Sequence, residues 1–330
     1  MSDQIIEVSG LNKMFKVPQK DEEGLLSSVK SLFHRKYKHI QAVNGIHLHV
    51  KKGEIRGLIG PNGAGKSTTI KVLTGILHPT GGSVNVMGHV PWLERETYVK
   101  KIGALFGQKT QLWWDVPAFD TFALHKVMYK IDDRTYRKTI DEFKEILGLA
   151  DIINRPVRQL SLGERMKCEL VCAMLHEPEL IFLDEPTIGL DILAKEAIRT
   201  FIKQINKERG TTFIVTTHDM SDIEDLCHRV TVINHGTVVF DDAIEQMKMF
   251  FSDRKIIDIR LSRMIEERTL AQYQVNSFNG ITASLELDLT KSDLQSEIAE
   301  IFRLFPVHDI NVNNIPIEQV IKEIYGRKAV

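Results

Sequence analysis

The chain has 330 residues, 43% of them hydrophobic and 26% charged, with a formal net charge of −1. That length suits one large domain or a large one with a small companion, and the near-zero charge offers no field to draw in nucleic acid. Three cysteines in no pairing pattern argue against a disulfide framework and fit a reducing, cytosolic setting. The start, MSDQIIEVSG, lacks the basic and apolar regions of a signal peptide. No apolar run reaches the roughly 18 residues that a membrane helix needs, so any membrane role requires a spanning partner.

Residues 4–9 alternate weakly and predict a first strand. An insertion over 18–40 follows, with Leu25, Leu26, Val29, Leu32 and Phe33 at helical spacing and a basic end, suited to a lipid or permease surface or to a surface helix. Strands are predicted at 46–50 and 54–59, and the second runs into a glycine-rich loop and a helix. His47 and His49 alternate on the first of these, but with no third ligand they do not make a metal site. A strand is expected at 83–87, then a helical region over about 92–177. Within it, Cys168 and Cys172 read as small buried hydrophobes. The apolar runs 179–183 and 212–216 predict buried parallel strands with a crossover helix, 192–207, between them. Strands at 229–234 and 237–240 close a main unit at about 245. Residues 246–330 form a small α+β appendage, with strands at 255–262 and 281–289 and helices at 291–303 and 316–326.

Gly60-Pro61-Asn62-Gly63-Ala64-Gly65-Lys66-Ser67 matches the phosphate-loop pattern G-x-x-x-x-G-K-[ST] between a strand and a helix. Glycines let successive N–H groups turn inward onto a triphosphate, and the helix start adds its positive end. Lys66 neutralises the β and γ oxygens, the Ser67 hydroxyl can hold Mg²⁺, and Thr68 offers a further hydroxyl. The apolar stretch Leu180–Leu183 ends in Asp184 and Glu185, which a buried strand delivers to the edge where the phosphate loop opens. Asp184 would hold Mg²⁺ through water, and Glu185 would act as general base. This pattern specifies the ligand, a nucleoside triphosphate, and leaves the function open.

Between these motifs lies Leu160-Ser161-Leu162-Gly163-Glu164. The order phosphate loop, Gln108, this segment, Asp184-Glu185, Gly189-Leu190-Asp191, His218 resembles the ATP-binding subunits of ABC transporters over most of residues 4–245. The resemblance implies an α/β fold: a P-loop NTPase with a RecA-like core, a helical subdomain and the C-terminal α+β appendage. By position, Phe15 resembles the aromatic that stacks on adenine, with Tyr37 as the alternative. Gln108 resembles the glutamine that touches Mg²⁺ and water, and Ser161 and Gly163 resemble the signature that caps the γ-phosphate of the other subunit's ATP. Asp191 resembles the acid that crosses the dimer interface, and His218 the switch histidine. The usual signature is LSGGQ, so Leu162 and Glu164 depart from it.

The resemblance also implies the cofactors ATP and Mg²⁺ and the partners. These are a second ATP-binding subunit placed head to tail and a multi-span permease at the cytoplasmic face of the membrane, with no nucleic acid. Leu112, Trp113 and Trp114 are expected to line a groove for that permease. The phrase FGQKTQLWWD, the insertion and the trailing domain look like ATPases of bacterial ABC-2-type systems, relatives of antibiotic-resistance exporters. The alternative is an ABC-type ATPase serving a process other than transport. A DNA-maintenance ATPase would need a long coiled coil between loop and signature, where no heptads occur. A translation factor would need two cassettes, and each motif occurs once.

Overall fold

Alternation of apolar and polar residues builds the first strands. β1 (Gln4–Pro18) pairs antiparallel with β2 (Tyr37–Lys51); β3 (Ile55–Ile59) follows, and β4 (Gly81–Val86) lies on the other edge of β1. This computed structural model describes residues 3–18, 37–107, 109–249, 253–290 and 292–326. Residues 19–36 of the insertion, and Gln108, lie outside the described residues. β1 and β2 are longer than the sequence pattern suggested, because each supplies the other with a ladder whatever its outward residues.

The second sheet has six strands in the order β5-β6-β7-β3-β8-β9. These are β5 (Ile102–Phe106), β6 (Leu180–Asp184), β7 (Thr212–Thr216), β8 (Arg229–Asn234) and β9 (Thr237–Ala243). β5, β6, β7, β3 and β8 run parallel. β8 and β9 are joined by His235 and Gly236, both at positive φ, as a two-residue hairpin turn requires. The two sheets share a core in which the helix Lys66–Leu73 contributes Ile70, Val72 and Leu73. The helices Asp133–Leu147, Leu162–Met174 and Ile192–Arg209 bury Phe143, Val171, Phe201, Ile202 and Ile205. Phe143 meets Phe201 edge-on at 5.1 Å. Cys168 and Cys172 are buried on the second of these helices.

β5 corrects the reading of 92–177 as helical. Helix there is confined to Arg95–Tyr98 before the chain enters the sheet beside β6. Gly103 hides this strand in the sequence, since glycine weakens strand propensity. In the fold it is needed: a Cβ there would lie 2.2 Å from the Ala173 carbonyl oxygen.

A buried histidine joins β5 to the helices. His176 Nε2 donates to the Ile102 carbonyl at 2.9 Å, and its ring stacks on Tyr129 at 3.9 Å. Burial holds its pKa down, to about 4 against an ordinary 6.5. The unfolded chain therefore binds the extra proton first, and folded stability falls as pH drops from about 6.5 toward 4. Urea titrations over that window are expected to show a steeper acid loss for the wild type than for His176→Phe. Equal slopes would remove His176 as the cause.

The chain divides into two compact units, one to Asp242 and one of Ala243–Arg327. The sequence reading placed this boundary at 245–246. In the second unit, β10 (Arg254–Leu261), β11 (Gln274–Phe278), β12 (Thr282–Asp288) and β13 (Val307–Asn314) form an antiparallel sheet in the order β11-β12-β10-β13. Ile257, Ile259, Leu285 and Leu287 pack with Ile301 of the helix Leu294–Leu304. Arg254 pairs with Glu286 and with Glu323 of the helix Ile317–Gly326. β11 is mostly polar and exposed, and its apolar Val275 and Phe278 fall three apart across a register shift, so no strand alternation reveals it.

Candidate active site

The glycines of the phosphate loop are dictated by contact as well as by conformation. A Cβ at Gly60 would lie 2.1 Å from the Ile233 carbonyl oxygen, and one at Gly65, where φ is +110°, would lie 2.5 Å from the Ala42 oxygen. Pro61, Asn62, Gly63 and Ala64 complete the loop, and Gly65 caps the helix that starts at Lys66. The Lys66 ammonium is folded back across the loop, donating to the Gly60 oxygen at 2.6 Å and the Pro61 oxygen at 3.1 Å. Burial draws its pKa down, and the charges of Glu185 and Asp184 act in the opposite sense.

β6 brings the two acids to this loop. Asp184 Oδ1 accepts from Ser67 Oγ at 3.2 Å and from Thr216 Oγ1 at 2.6 Å. Glu185 stands at φ +57°, a left-handed conformation that costs a side-chain-bearing residue on the order of 1–3 kcal/mol. Its N–H is held by the Thr216 carbonyl and hydroxyl oxygens, both at 3.0 Å. Its carboxylate meets His218 Nε2 at 2.8 Å. Ser67, Asp184, Glu185 and His218 are thus linked in one cluster, with Lys66 within electrostatic reach of its two acids. A cavity of about 340 Å³ opens there, lined by Asn62, Ser67, Lys71, Phe106, Asp184 and Glu185 among others. Thr216 was missed in the sequence; its only signal was its place two residues before His218.

Ser161 caps the helix Leu162–Met174 in a reciprocal box. Its hydroxyl accepts from the Glu164 N–H at 3.2 Å, and Glu164 accepts from the Ser161 N–H at 2.8 Å. Glu164 also pairs with Arg155, so glutamate at this position has a structural reason. Those bonds, the one from the Ser161 N–H foremost, hold its carboxyl below the usual range. Gly163 allows close packing, since a Cβ there would lie 2.8 Å from the Ala194 Cβ. Asp191 caps the helix Ile192–Arg209, accepting from the Ala194 N–H at 2.8 Å.

Phe15 lies within β1 rather than after it, opposite Ile40. Ala42, two residues along β2, contacts the loop at Gly65. Tyr37 pairs with Pro18, farther along the same ladder. Trp113 and Trp114 are 58% and 50% exposed, but Leu112 is buried and belongs to the core rather than to a groove. Glu169, which sequence reasoning passed over, fastens this segment: its buried carboxylate accepts from the Thr110 hydroxyl and from the Gln111 N–H at 3.0 Å.

The family model described as "ABC transporter" matches residues 43–188. The ABC transporter ATP-binding protein NatA of Bacillus subtilis is 32% identical over 222 residues, covering 67% of this chain and 90% of NatA. The linearmycin resistance ATP-binding protein LnrL of the same organism is 29% identical over 280 residues, covering 84% of this chain and 89% of LnrL. Among solved structures, the dimeric bacterial ABC transporter cassette MJ0796 superposes with a TM-score of 0.60 at 25% identity, over 72% of this chain and 98% of that one. With its phosphate loop, acid pair and capped signature helix in one fold, the chain belongs to the ABC transporter ATP-binding proteins, the subunits whose ATP hydrolysis powers transport.

Proposed function

We propose that the cavity at the phosphate loop takes the triphosphate of ATP, and that hydrolysis occurs between two copies of this chain placed head to tail. The observation that carries this is the composition of the cavity lining. It draws on the phosphate loop, β5 and the end of β6, and Ser161 is not among the residues lining it. Yet the helix start at Ser161 leaves the Leu162 and Gly163 N–H groups without intrahelical acceptors, a second anion site. A second chain would bring that site to the γ-phosphate, with Asp191 at the junction and Phe15 beside the base. If so, hydrolysis per chain rises with protein concentration in the dilute range, measured as phosphate release. A rate per chain independent of concentration for a proven monomer would overturn the composite site.

Ser67 Oγ and the Asp184 carboxylate are hard oxygen donors 3.2 Å apart, a pair that suits Mg²⁺ held jointly with phosphate and water. Gln108 is assigned beside them from its order in the sequence. Among the described residues no group of three His, Cys, Asp or Glu side chains could hold a metal, so the ion would arrive with the nucleotide. When bound, it neutralises charge on the β and γ oxygens. Glu185 takes a proton from the attacking water, His218 orients Glu185 and contacts the γ-phosphate, and ADP and phosphate leave.

As for an ATP-binding subunit of a transporter, the pathway would lie in a separate membrane permease; no helix among the described residues is long and apolar enough to cross a membrane. The chain would then sit at the cytoplasmic face, bound to that partner. Exposed Trp113 and Trp114 offer the docking surface, because aromatic rings bury much area with little entropy lost. Direction is assigned as export by likeness to LnrL, whose name places it in linearmycin resistance. Trp113→Ala with Trp114→Ala is expected to abolish co-purification with the permease while ATP binding persists. Retained assembly would exclude this surface.

A further inference from the structure

Asp222 is an acid that no step above uses, and it is 1% exposed. It lies in the short helix Met220–Leu226. Its Oδ2 accepts from two buried hydroxyls, those of Thr187 and Thr217, the latter at 3.1 Å. Its Oδ1 faces Arg199, 3.6 Å from Nε. Thr187 stands two residues after Glu185, and Thr217 immediately precedes His218. Arg199 belongs to the helix capped by Asp191. One carboxylate thus joins the two loops that present the catalytic pair and the helix whose start would face the second chain.

We propose that Asp222 is a positioning residue that sets the Glu185–His218 geometry for hydrolysis. The loops meet on both flanks of the pair. On one side the Glu185 N–H is bonded to Thr216; on the other, Thr187 and Thr217 are bonded to Asp222. Between these two fastenings Glu185 is held at positive φ with its carboxylate on His218 at 2.8 Å. Among the described residues, the hydrogen bonds that remain to the Thr187 side of the turn without the Asp222 fastening are backbone bonds to its own neighbours, such as the Leu190 N–H to the Thr187 oxygen at 3.3 Å. The general base would then lose its aim without losing its identity. The phosphate loop makes no bond to Asp222, so ATP affinity is set elsewhere.

This inference rests on Glu185 and His218 being the hydrolytic pair, and the test separates the two ideas. ATP turnover, KM and melting temperature are measured on the full chain for Asp222→Ala, Thr187→Val, Thr187→Ser and Glu185→Gln. Asp222→Ala and Thr187→Val are expected to lower kcat by about 10- to 100-fold, the scale of a misplaced reacting group, with KM unchanged. Thr187→Ser, which restores the hydroxyl, is expected to recover most of the turnover. If Asp222→Ala fails to fold, the Val and Ser pair decides, because valine keeps the shape of threonine. Wild-type kcat in folded Thr187→Val beside an inactive Glu185→Gln would overturn the positioning role alone. Full turnover in Glu185→Gln would overturn both the role and the assignment beneath it. Equal loss in the Val and Ser variants would show that packing, rather than the hydroxyl bond, is what matters, and would also overturn the proposal.

Discussion

Glu185→Gln is expected to bind ATP as the wild type does and to turn it over roughly 10²–10⁴-fold more slowly, the usual weight of a general base. The amide keeps the size of the carboxylate and can still accept from His218 Nε2, now 2.8 Å from Glu185 Oε1. It cannot take a proton from water. The backbone around it should be undisturbed, because the bonds from its N–H to Thr216 involve no side-chain atom of residue 185. Binding of a fluorescent ATP analogue and phosphate release are the two measurements. A variant with full turnover would remove Glu185 from the chemistry, and one that lost binding would show it to be part of the cradle instead.

Lys66→Ala is expected to weaken ATP binding itself. On the proposed reading its ammonium would face the phosphates; in the structure it donates to the Gly60 and Pro61 carbonyl oxygens at 2.6 and 3.1 Å. Removing one partner of a buried, hydrogen-bonded charge pair costs about 2–5 kcal/mol. That corresponds to about 30- to 5,000-fold in affinity. Lys66→Arg should fail as well, since the planar guanidinium cannot take the place of a compact ammonium between two carbonyls. Equilibrium binding of ATP compared with adenosine separates the effect: the phosphates' contribution disappears and the base's remains. Unchanged ATP affinity in Lys66→Ala would sink the assignment. The pair of variants is complementary, because one loses the chemical step with binding intact and the other loses binding before any chemistry.

The site was legible where its residues are contiguous. Gly60–Ser67 can be read as a cradle because one turn of chain makes the whole feature, and the strand and helix on either side are local too. Asp184 and Glu185 could be placed because a strand apolar on both faces ends where they begin. Other parts left little trace. β5 contains a glycine that its packing against the Ala173 carbonyl explains, and in β11 the apolar Val275 and Phe278 fall three apart across a register shift, which breaks the strand alternation. Leu112 looked like its tryptophan neighbours but turned inward, while they face out.

By itself, then, the sequence determined the ligand class, the order of the motifs and the family they resemble. All three rest on short-range chemistry: curled backbone amides, a lysine beside a serine, acids at a strand end. Tertiary structure decided which groups surround them. The strand order β5-β6-β7-β3 sets β7 beside β6, so that Thr216 reaches Asp184 and Glu185, and Asp222 reaches Thr187 and Thr217. Apart from Thr217, a near neighbour of Asp222, those partners are distant along the chain, and all are chemically ordinary. Their roles arise only when parallel pairing brings separate loops to one edge, where a carboxylate without hydrogen bonds would be costly to bury.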